Sequence, residues 1–104
     1  GMDLIIAADE MEIETAAETL RGHGAGKVVP VQADLATTQG VDQLLTAIRA
    51  DGRAPHHLIA NAGRGLGGAF LDQAFEDQML VINTNIMGTI YLLRQTLPMM
   101  TAQD

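Results

Sequence analysis

The chain has 104 residues, 47% hydrophobic and 18% charged, which is the composition of one globular domain able to bury a core. Thirteen acidic against six basic residues give a net charge of −7, which argues against nucleic acid and anionic membranes as partners. There is no cysteine, no apolar run long enough to span a bilayer and no signal peptide, so a cytoplasmic location is expected. Gly1 ahead of Met2 is typical of a cleaved expression tag.

The first apolar run, residues 4–8, predicts a strand that is covered on both faces, as in a parallel sheet. A helix is predicted next, because apolar residues recur at i, i+3, i+4 and i+7: Ile13, Ala16, Ala17 and Leu20. Asp9 stands where it can cap this helix, with Glu12 as the second member of a capping box.

A second strand is predicted over residues 27–31, at a sheet edge because Pro30 cannot donate a hydrogen bond to a neighbour. Asp34 follows, and Thr37 or Thr38 is the expected cap of a second helix that runs to about Ala50. The helical spacing is carried by Val41, Leu44, Leu45 and Ile48.

Residues 58–60 (Leu-Ile-Ala) predict a third buried strand, which the turn of residues 61–63 (Asn-Ala-Gly) ends. Strands that alternate with helices of this length are typical of right-handed βαβ units in a parallel sheet. The predicted fold class is therefore α/β, with three parallel strands and flanking helices in a single domain over residues 1–104.

The segment 76–100 has helical periodicity throughout, and as one helix it would extend about 37 Å. It carries two apolar stripes, so it is expected to be buried on two sides, one of which requires a partner. Asn83-Thr84-Asn85 in its middle is poor helix material, which predicts another interaction there. Pro98 is expected to kink or end the helix.

In chain order, Asp9 follows the first strand, Asp34-Leu35 the second and Asn61-Ala62-Gly63 the third, and Asn85-Ile86-Met87-Gly88 lies in the long helix. This series resembles the short-chain dehydrogenase/reductase family, from its second strand to its long interface helix. The resemblance implies a partial Rossmann-like parallel sheet of three strands, with the family's first strand and its glycine-rich turn missing.

At the first of these positions, Asp9 (or Glu10, if the alignment shifts by one) resembles the family's acceptor for the hydroxyls of the adenosine ribose. Such a carboxylate repels a 2′-phosphate, and no arginine is adjacent in sequence, so the resemblance implies NAD in preference to NADP.

The remaining positions resemble other parts of the family's cofactor site. Asp34, with Leu35 beside it, resembles the residue that contacts the adenine amino group. The backbone turn under the cofactor ribose has its counterpart in Asn61, Ala62 and Gly63. Asn85 resembles the helix asparagine that supports the family's catalytic proton relay.

The residues that perform the family's chemistry have no counterpart in this sequence. The serine-bearing strand is absent, and so is the Tyr-x-x-x-Lys pair, since Tyr91 is the one tyrosine and Gln95 stands four residues later. A tyrosine needs a nearby cation to lower its pKa from about 10 before it can act near neutrality. We therefore expect an oxidoreductase fragment that is inactive on its own and binds NAD weakly or not at all. The alternative is a non-catalytic, self-associating interaction module.

Simpler roles remain open for several of these residues. For Asp9, a role as a helix cap alone is as open as the ribose contact. For Asp34, a role as a turn residue alone is as open as the adenine contact. Asn61 is a turn-forming residue type. Residues 63–68 match G-x-G-x-x-G but do not lead directly into a helix, so they are interpreted as a flexible loop. His56 and His57 are expected at the surface, and no metal site is predicted.

The missing strand would lie between residues 4–8 and residues 57–60, and its absence leaves backbone groups unpaired on both sides. Either the two segments pair directly, or a second chain fills the space. A homo-oligomer is expected, formed through the helix at 76–100 and the exposed strand edges.

Overall fold

The computed structural model describes residues 1–102. Two strands, β1 (Leu4–Ala8) and β2 (Val28–Gln32), pair in parallel, with Leu4 opposite Val28 and Ala8 opposite Gln32. Helix α1 (Ile13–Gly22) connects them. The α/β fold class is confirmed, and β2 lies at a sheet edge as Pro30 predicts. None of the helices described is long and apolar enough to cross a membrane.

The start of α1 differs from the prediction. Glu12 occupies the N-cap position and makes no side-chain cap hydrogen bond, so the predicted capping by Asp9 and Glu12 is wrong. The chain leaves β1 through a tight turn instead, in which the Ile13 N–H donates to the Glu10 carbonyl oxygen at 3.3 Å. The Asp9 carboxylate is engaged elsewhere, by Arg64.

Helix α2 (Thr38–Asp51) begins and ends as the sequence predicts. The Thr37 hydroxyl accepts a hydrogen bond from the Gly40 N–H at 2.9 Å, which satisfies one of the free donors of the first turn. Gly52 follows the helix with φ of 80°, a left-handed conformation that favours glycine.

The predicted third strand is not part of the sheet. Within residues 1–102 the sheet consists of β1 and β2 alone, so the predicted third strand is wrong. Of the two alternatives for the gap beside β1, direct pairing with residues 57–60 does not occur within the described residues. A strand needs a partner strand, and within the described residues none pairs with residues 58–60. Leu58 packs against the core, whereas the side chain of Ile59 is 86% exposed.

The segment 76–100 is helical throughout, as predicted, but not uniformly so. It consists of α3 (Phe75–Ile82), a π-helical segment (Asn83–Gly88) and α4 (Thr89–Thr101). The wider π turn falls on the Asn-Thr-Asn residues that predicted an irregularity. The helix continues to Thr101, about one turn past Pro98.

The core lies between α2, α4 and one face of the sheet. Its buried residues are Val41, Leu44, Leu45, Ile48 and Leu92. Ile5 and Ala7 of β1 and Val31 of β2 pack against them. Helix α1 packs against both strands and buries Ala17 completely, so the chain forms helix and sheet layers.

Candidate functional site

The carboxyl ends of β1 and β2 place two acidic residues at the same edge of the sheet. Asp9 directly follows β1, and Asp34 follows β2 by two residues. The Asp9 carboxylate is 40% exposed and pairs with the guanidinium of Arg64. Ligands of open α/β sheets bind at this edge, outside the carboxyl ends of the strands.

Asp34 organises the turn that leaves β2. Its carboxylate oxygen Oδ1 accepts a hydrogen bond from the Ala36 N–H at 3.0 Å, and its carbonyl oxygen accepts one from the Thr37 hydroxyl at 3.0 Å. Asp34 therefore forms a turn, and its contact to adenine stays a prediction. Leu35 beside it is half-buried and packs against the core.

Asn85 holds the loop that follows residues 58–60. Its Oδ1 accepts from the Arg64 N–H at 2.7 Å, and its Nδ2 donates to the Arg64 carbonyl oxygen at 2.8 Å. A Cβ at Gly63 would come to 3.3 Å from that Oδ1. These bonds are the interaction that an asparagine inside the helix predicts, and the role of Asn85 in a proton relay stays a prediction.

Arg64 is the residue of this site that sequence reasoning missed. It joins Asp9 through its side chain and Asn85 through its backbone, across sequence separations of 55 and 21 residues. The available signal was a lone charged residue directly after the Asn-Ala-Gly turn, in a run that is otherwise mostly glycine. Neither partner lies close enough in sequence for spacing alone to reveal it.

The remaining predicted positions lie in the loop between residues 58 and 69. Asn61 and Ala62 are exposed, and the Asn61 N–H donates to the Ile59 carbonyl oxygen at 3.1 Å, which is a local turn. The run of residues 63–68 is a loop, as interpreted from the sequence, and a short 3-10 helix (Phe70–Asp72) begins after Ala69. His56 and His57 are exposed, as expected.

Tyr91 lies on α4 and faces α2. Its hydroxyl donates a hydrogen bond to Asp42 Oδ1 at 2.7 Å. This hydrogen bond raises the pKa of Tyr91, and burial and the negative charge of Asp42 raise it further. A catalytic tyrosine needs its pKa lowered by a cation, so the environment of Tyr91 acts in the opposite direction.

The acceptor groups at the strand ends fit the adenosine half of a nicotinamide cofactor. The Asp9 carboxylate can accept hydrogen bonds from ribose hydroxyls, one Asp34 oxygen can accept from an amino group, and Gly63 presents backbone without a side chain. Within residues 1–102 no group of three or more metal-ligating side chains is close enough to hold a metal ion.

Solved structures share this fold. The chain is similar to L-sorbose reductase from Gluconobacter frateurii in complex with NADPH and L-sorbose, with 27% identity, a TM-score of 0.88, and coverage of 99% of this chain and 40% of that chain. It is also similar to a short-chain dehydrogenase/reductase from Burkholderia phymatum in complex with NAD, with 32% identity, a TM-score of 0.86, and coverage of 99% and 37%. A metagenomic short-chain oxidoreductase in complex with NADP, 24% identical with a TM-score of 0.83, shares the fold and is covered over 46% of its length. The chain therefore spans less than half of each of these proteins.

A search of curated protein sequences gives no match. The family model described as short chain dehydrogenase matches residues 1–104, which is the whole sequence. This match confirms the resemblance that Asp9, Asp34, Asn85 and the Asn-Ala-Gly turn indicate. The chain belongs to the short-chain dehydrogenase family.

Proposed function

We propose that this chain supplies the adenosine half of the nicotinamide-cofactor site of a short-chain oxidoreductase, and that alone it transfers no hydride. The observation that carries the proposal is the position of Asp9 and Asp34 after adjacent parallel strands, at the edge where the Asn85-bound loop also arrives. The similar structures from Gluconobacter frateurii and Burkholderia phymatum were solved with NADPH and NAD respectively, which supports a nicotinamide cofactor.

The proposed lack of activity rests on the one tyrosine. Hydride transfer in this family's manner requires a proton donor of suitable pKa, and the hydrogen bond to Asp42 raises the pKa of Tyr91. Gln95, four residues later, carries no charge that could reverse this effect. Binding without turnover is the expected behaviour of the isolated chain.

A preference for NAD over NADP is part of the proposal. The Asp9 carboxylate accepts hydrogen bonds from a ribose with two free hydroxyls, and it repels a 2′-phosphate once the ribose has replaced Arg64 as its partner. The same proposal includes a cytoplasmic location. It also includes no nucleic-acid or membrane partner, because the net charge of −7 disfavours binding to both of these polyanionic surfaces.

The test is calorimetric titration of the chain with NAD and with NADP, repeated on Asp9→Asn and on Glu10→Gln. We expect weak binding of NAD, weaker binding of NADP, and loss of NAD binding in Asp9→Asn. Glu10→Gln removes the same charge one residue later and is the matched control for the alternative alignment. Absence of binding to either cofactor by the folded chain would overturn the proposal.

A second candidate function is self-association as a non-catalytic interaction module, and it is favoured by an uncovered apolar surface. Ile86 and Ile90 are 53% and 61% exposed on the long helix, one turn apart on one face. Ile82 and Leu97 extend this stripe. The edge of β1 that faces away from β2 has no partner strand within the described residues.

We propose a second copy of this chain as the occupant, through the stripe on the helix of residues 75–101 and the open edge of β1. Sedimentation at tens of micromolar should show a dimer or larger species that Ile86→Glu converts to monomer. Gln43→Glu, at an exposed position of α2, adds the same charge away from the stripe and should leave the assembly intact. A compact monomer for the unmodified chain would overturn self-association.

A further inference from the structure

Arg64 lies at the mouth of the proposed cofactor site with both its backbone and its side chain held. The side-chain amide of Asn85 binds its N–H and its carbonyl oxygen. Its guanidinium pairs with the Asp9 carboxylate at the carboxyl end of β1. Arg64 therefore bridges from the loop after residues 58–60 to the end of β1.

The ion pair between Arg64 and Asp9 is exchangeable. The two side chains are 38% and 40% exposed, and ion pairs this accessible to water contribute little to stability. A guanidinium presents the same fork of donors to a carboxylate and to a phosphate, so it can pass from one to the other without a change of geometry.

Arg64 also brings a positive charge to this edge of the sheet, through its ion pair with Asp9. Arg21 donates to the Val28 carbonyl oxygen at the start of β2, and Arg53 pairs with Asp3 ahead of β1, so both lie at the opposite, amino-terminal ends of the strands. In a chain with a net charge of −7, a polyanionic ligand beside Asp9 needs a local positive charge.

We propose that Arg64 is the phosphate-binding residue of this site, and that a nucleoside diphosphate takes Arg64 away from Asp9. The ribose hydroxyls then donate hydrogen bonds to the Asp9 carboxylate, and the diphosphate pairs with the Arg64 guanidinium. The bidentate hold of Asn85 keeps the Arg64 backbone in place during this exchange. The inference rests on the proposed function, since it concerns the same site.

Adenosine and adenosine diphosphate separate the two contacts, because adenosine has the ribose hydroxyls without the phosphates. Both are titrated calorimetrically into the unmodified chain, Arg64→Gln, Asp9→Asn and Arg94→Gln. Arg94 has no ion pair within residues 1–102, so its substitution controls for loss of one positive charge.

We expect Arg64→Gln to weaken the binding of adenosine diphosphate by about tenfold, because one charge-assisted contact is lost. The binding of adenosine should be unchanged or tighter. Asp9→Asn should weaken the binding of adenosine. It should change the binding of adenosine diphosphate less, because Arg64 is then free to contact the phosphates. Arg94→Gln should affect neither ligand by more than about twofold.

The outcomes distinguish the two proposals. Equal weakening of adenosine diphosphate by Arg64→Gln and Arg94→Gln would overturn the role of Arg64 and leave the adenosine site standing. Equal weakening of both ligands by Arg64→Gln would also overturn it, because the residue would then act on the fold of the site. Failure of the unmodified chain to bind either ligand would overturn the proposed function together with this inference.

Discussion

The α-carbon of Gly88 lies against the carbonyl oxygen of Leu35. A Cβ added to Gly88 would be only 1.9 Å from that oxygen. Gly40, in the first turn of α2, is equally close to the neighbouring carbonyl oxygen of Asp34, at 1.7 Å from its would-be Cβ. Two helices thus approach the turn after β2 at backbone distance, and each does so at a glycine. These contacts fix the turn that places Asp34 at the candidate site.

Gly88→Ala should destabilise the chain by about 1–3 kcal/mol, because the added methyl group forces the helix away from the Leu35 backbone. Alanine is otherwise the better helix former by about 1 kcal/mol. A decrease in the free energy of unfolding would therefore report the close contact between Gly88 and Leu35. Gly22→Ala is the matched control, since a Cβ at Gly22 in the last turn of α1 meets no atom within 4 Å. Urea unfolding of both variants tests this, and equal midpoints would contradict it.

Asn85→Ala should loosen the loop around Arg64, because both hydrogen bonds to the Arg64 backbone are lost. Each is worth about 1 kcal/mol, so we expect cleavage by trypsin after Arg64 to accelerate by about fivefold or more. Asn83→Ala is the control in the same π-helical segment, since the Asn83 side chain makes no hydrogen bond in the part of the chain that the structure describes. Equal cleavage rates in the two variants would show that Asn85 does not restrain the loop.

The helices of this fold could be predicted from sequence because their signals are local. Helix α2 shows this best, since its apolar spacing, the Thr37 cap and Gly52 all lie within the helix or next to it. The asparagines at 83 and 85 likewise marked the irregular part of the long helix, where the π turn occurs. Local competition between backbone and side-chain hydrogen bonds is visible in residue type alone.

Features that depend on distant partners could not be predicted in this way. Residues 58–60 have the composition of a strand, but a strand exists only beside another strand, and β1 is not beside them. Asp9 has the position of a cap, but its carboxylate binds Arg64, which is 55 residues away. The candidate carboxylates were therefore found at the right strand ends, while the arginine that pairs with one of them was not.

Acid should weaken the contacts that hold the start of β1. A backbone hydrogen bond from Lys27 and the Arg53 guanidinium lower the pKa of Asp3, and Arg53 also lowers the pKa of Asp51. Carboxyl groups whose pKa is lower when folded stabilise the chain above their unfolded pKa of 3.8, and this stabilisation is lost as the pH falls through the folded values.

Arg53→Gln should therefore reduce the dependence of the unfolding midpoint on pH below 3.8, because the folded pKa values of Asp3 and Asp51 return towards the unfolded one. Arg94→Gln removes the same charge outside this cluster and should retain the dependence of the unmodified chain. Thermal unfolding at a series of acid pH values measures how steeply the unfolding midpoint of each variant depends on pH. Identical slopes for the two variants would mean that Arg53 does not set these pKa values.

The titration of Tyr91 can be followed directly, because it is the one tyrosine and the chain contains no tryptophan. Its hydrogen bond to Asp42 stabilises the protonated hydroxyl and raises its pKa above 10, so ultraviolet absorbance should show tyrosinate forming at a higher pH in the folded chain than in urea. Asp42→Asn keeps an acceptor oxygen but removes the charge, and it should return the pKa towards 10. Glu18→Gln, an exposed position on α1, removes the same charge elsewhere and should leave the titration unchanged. A folded-state pKa below 10 would contradict the hydrogen bond and would reopen a role for Tyr91 as a proton donor near neutrality.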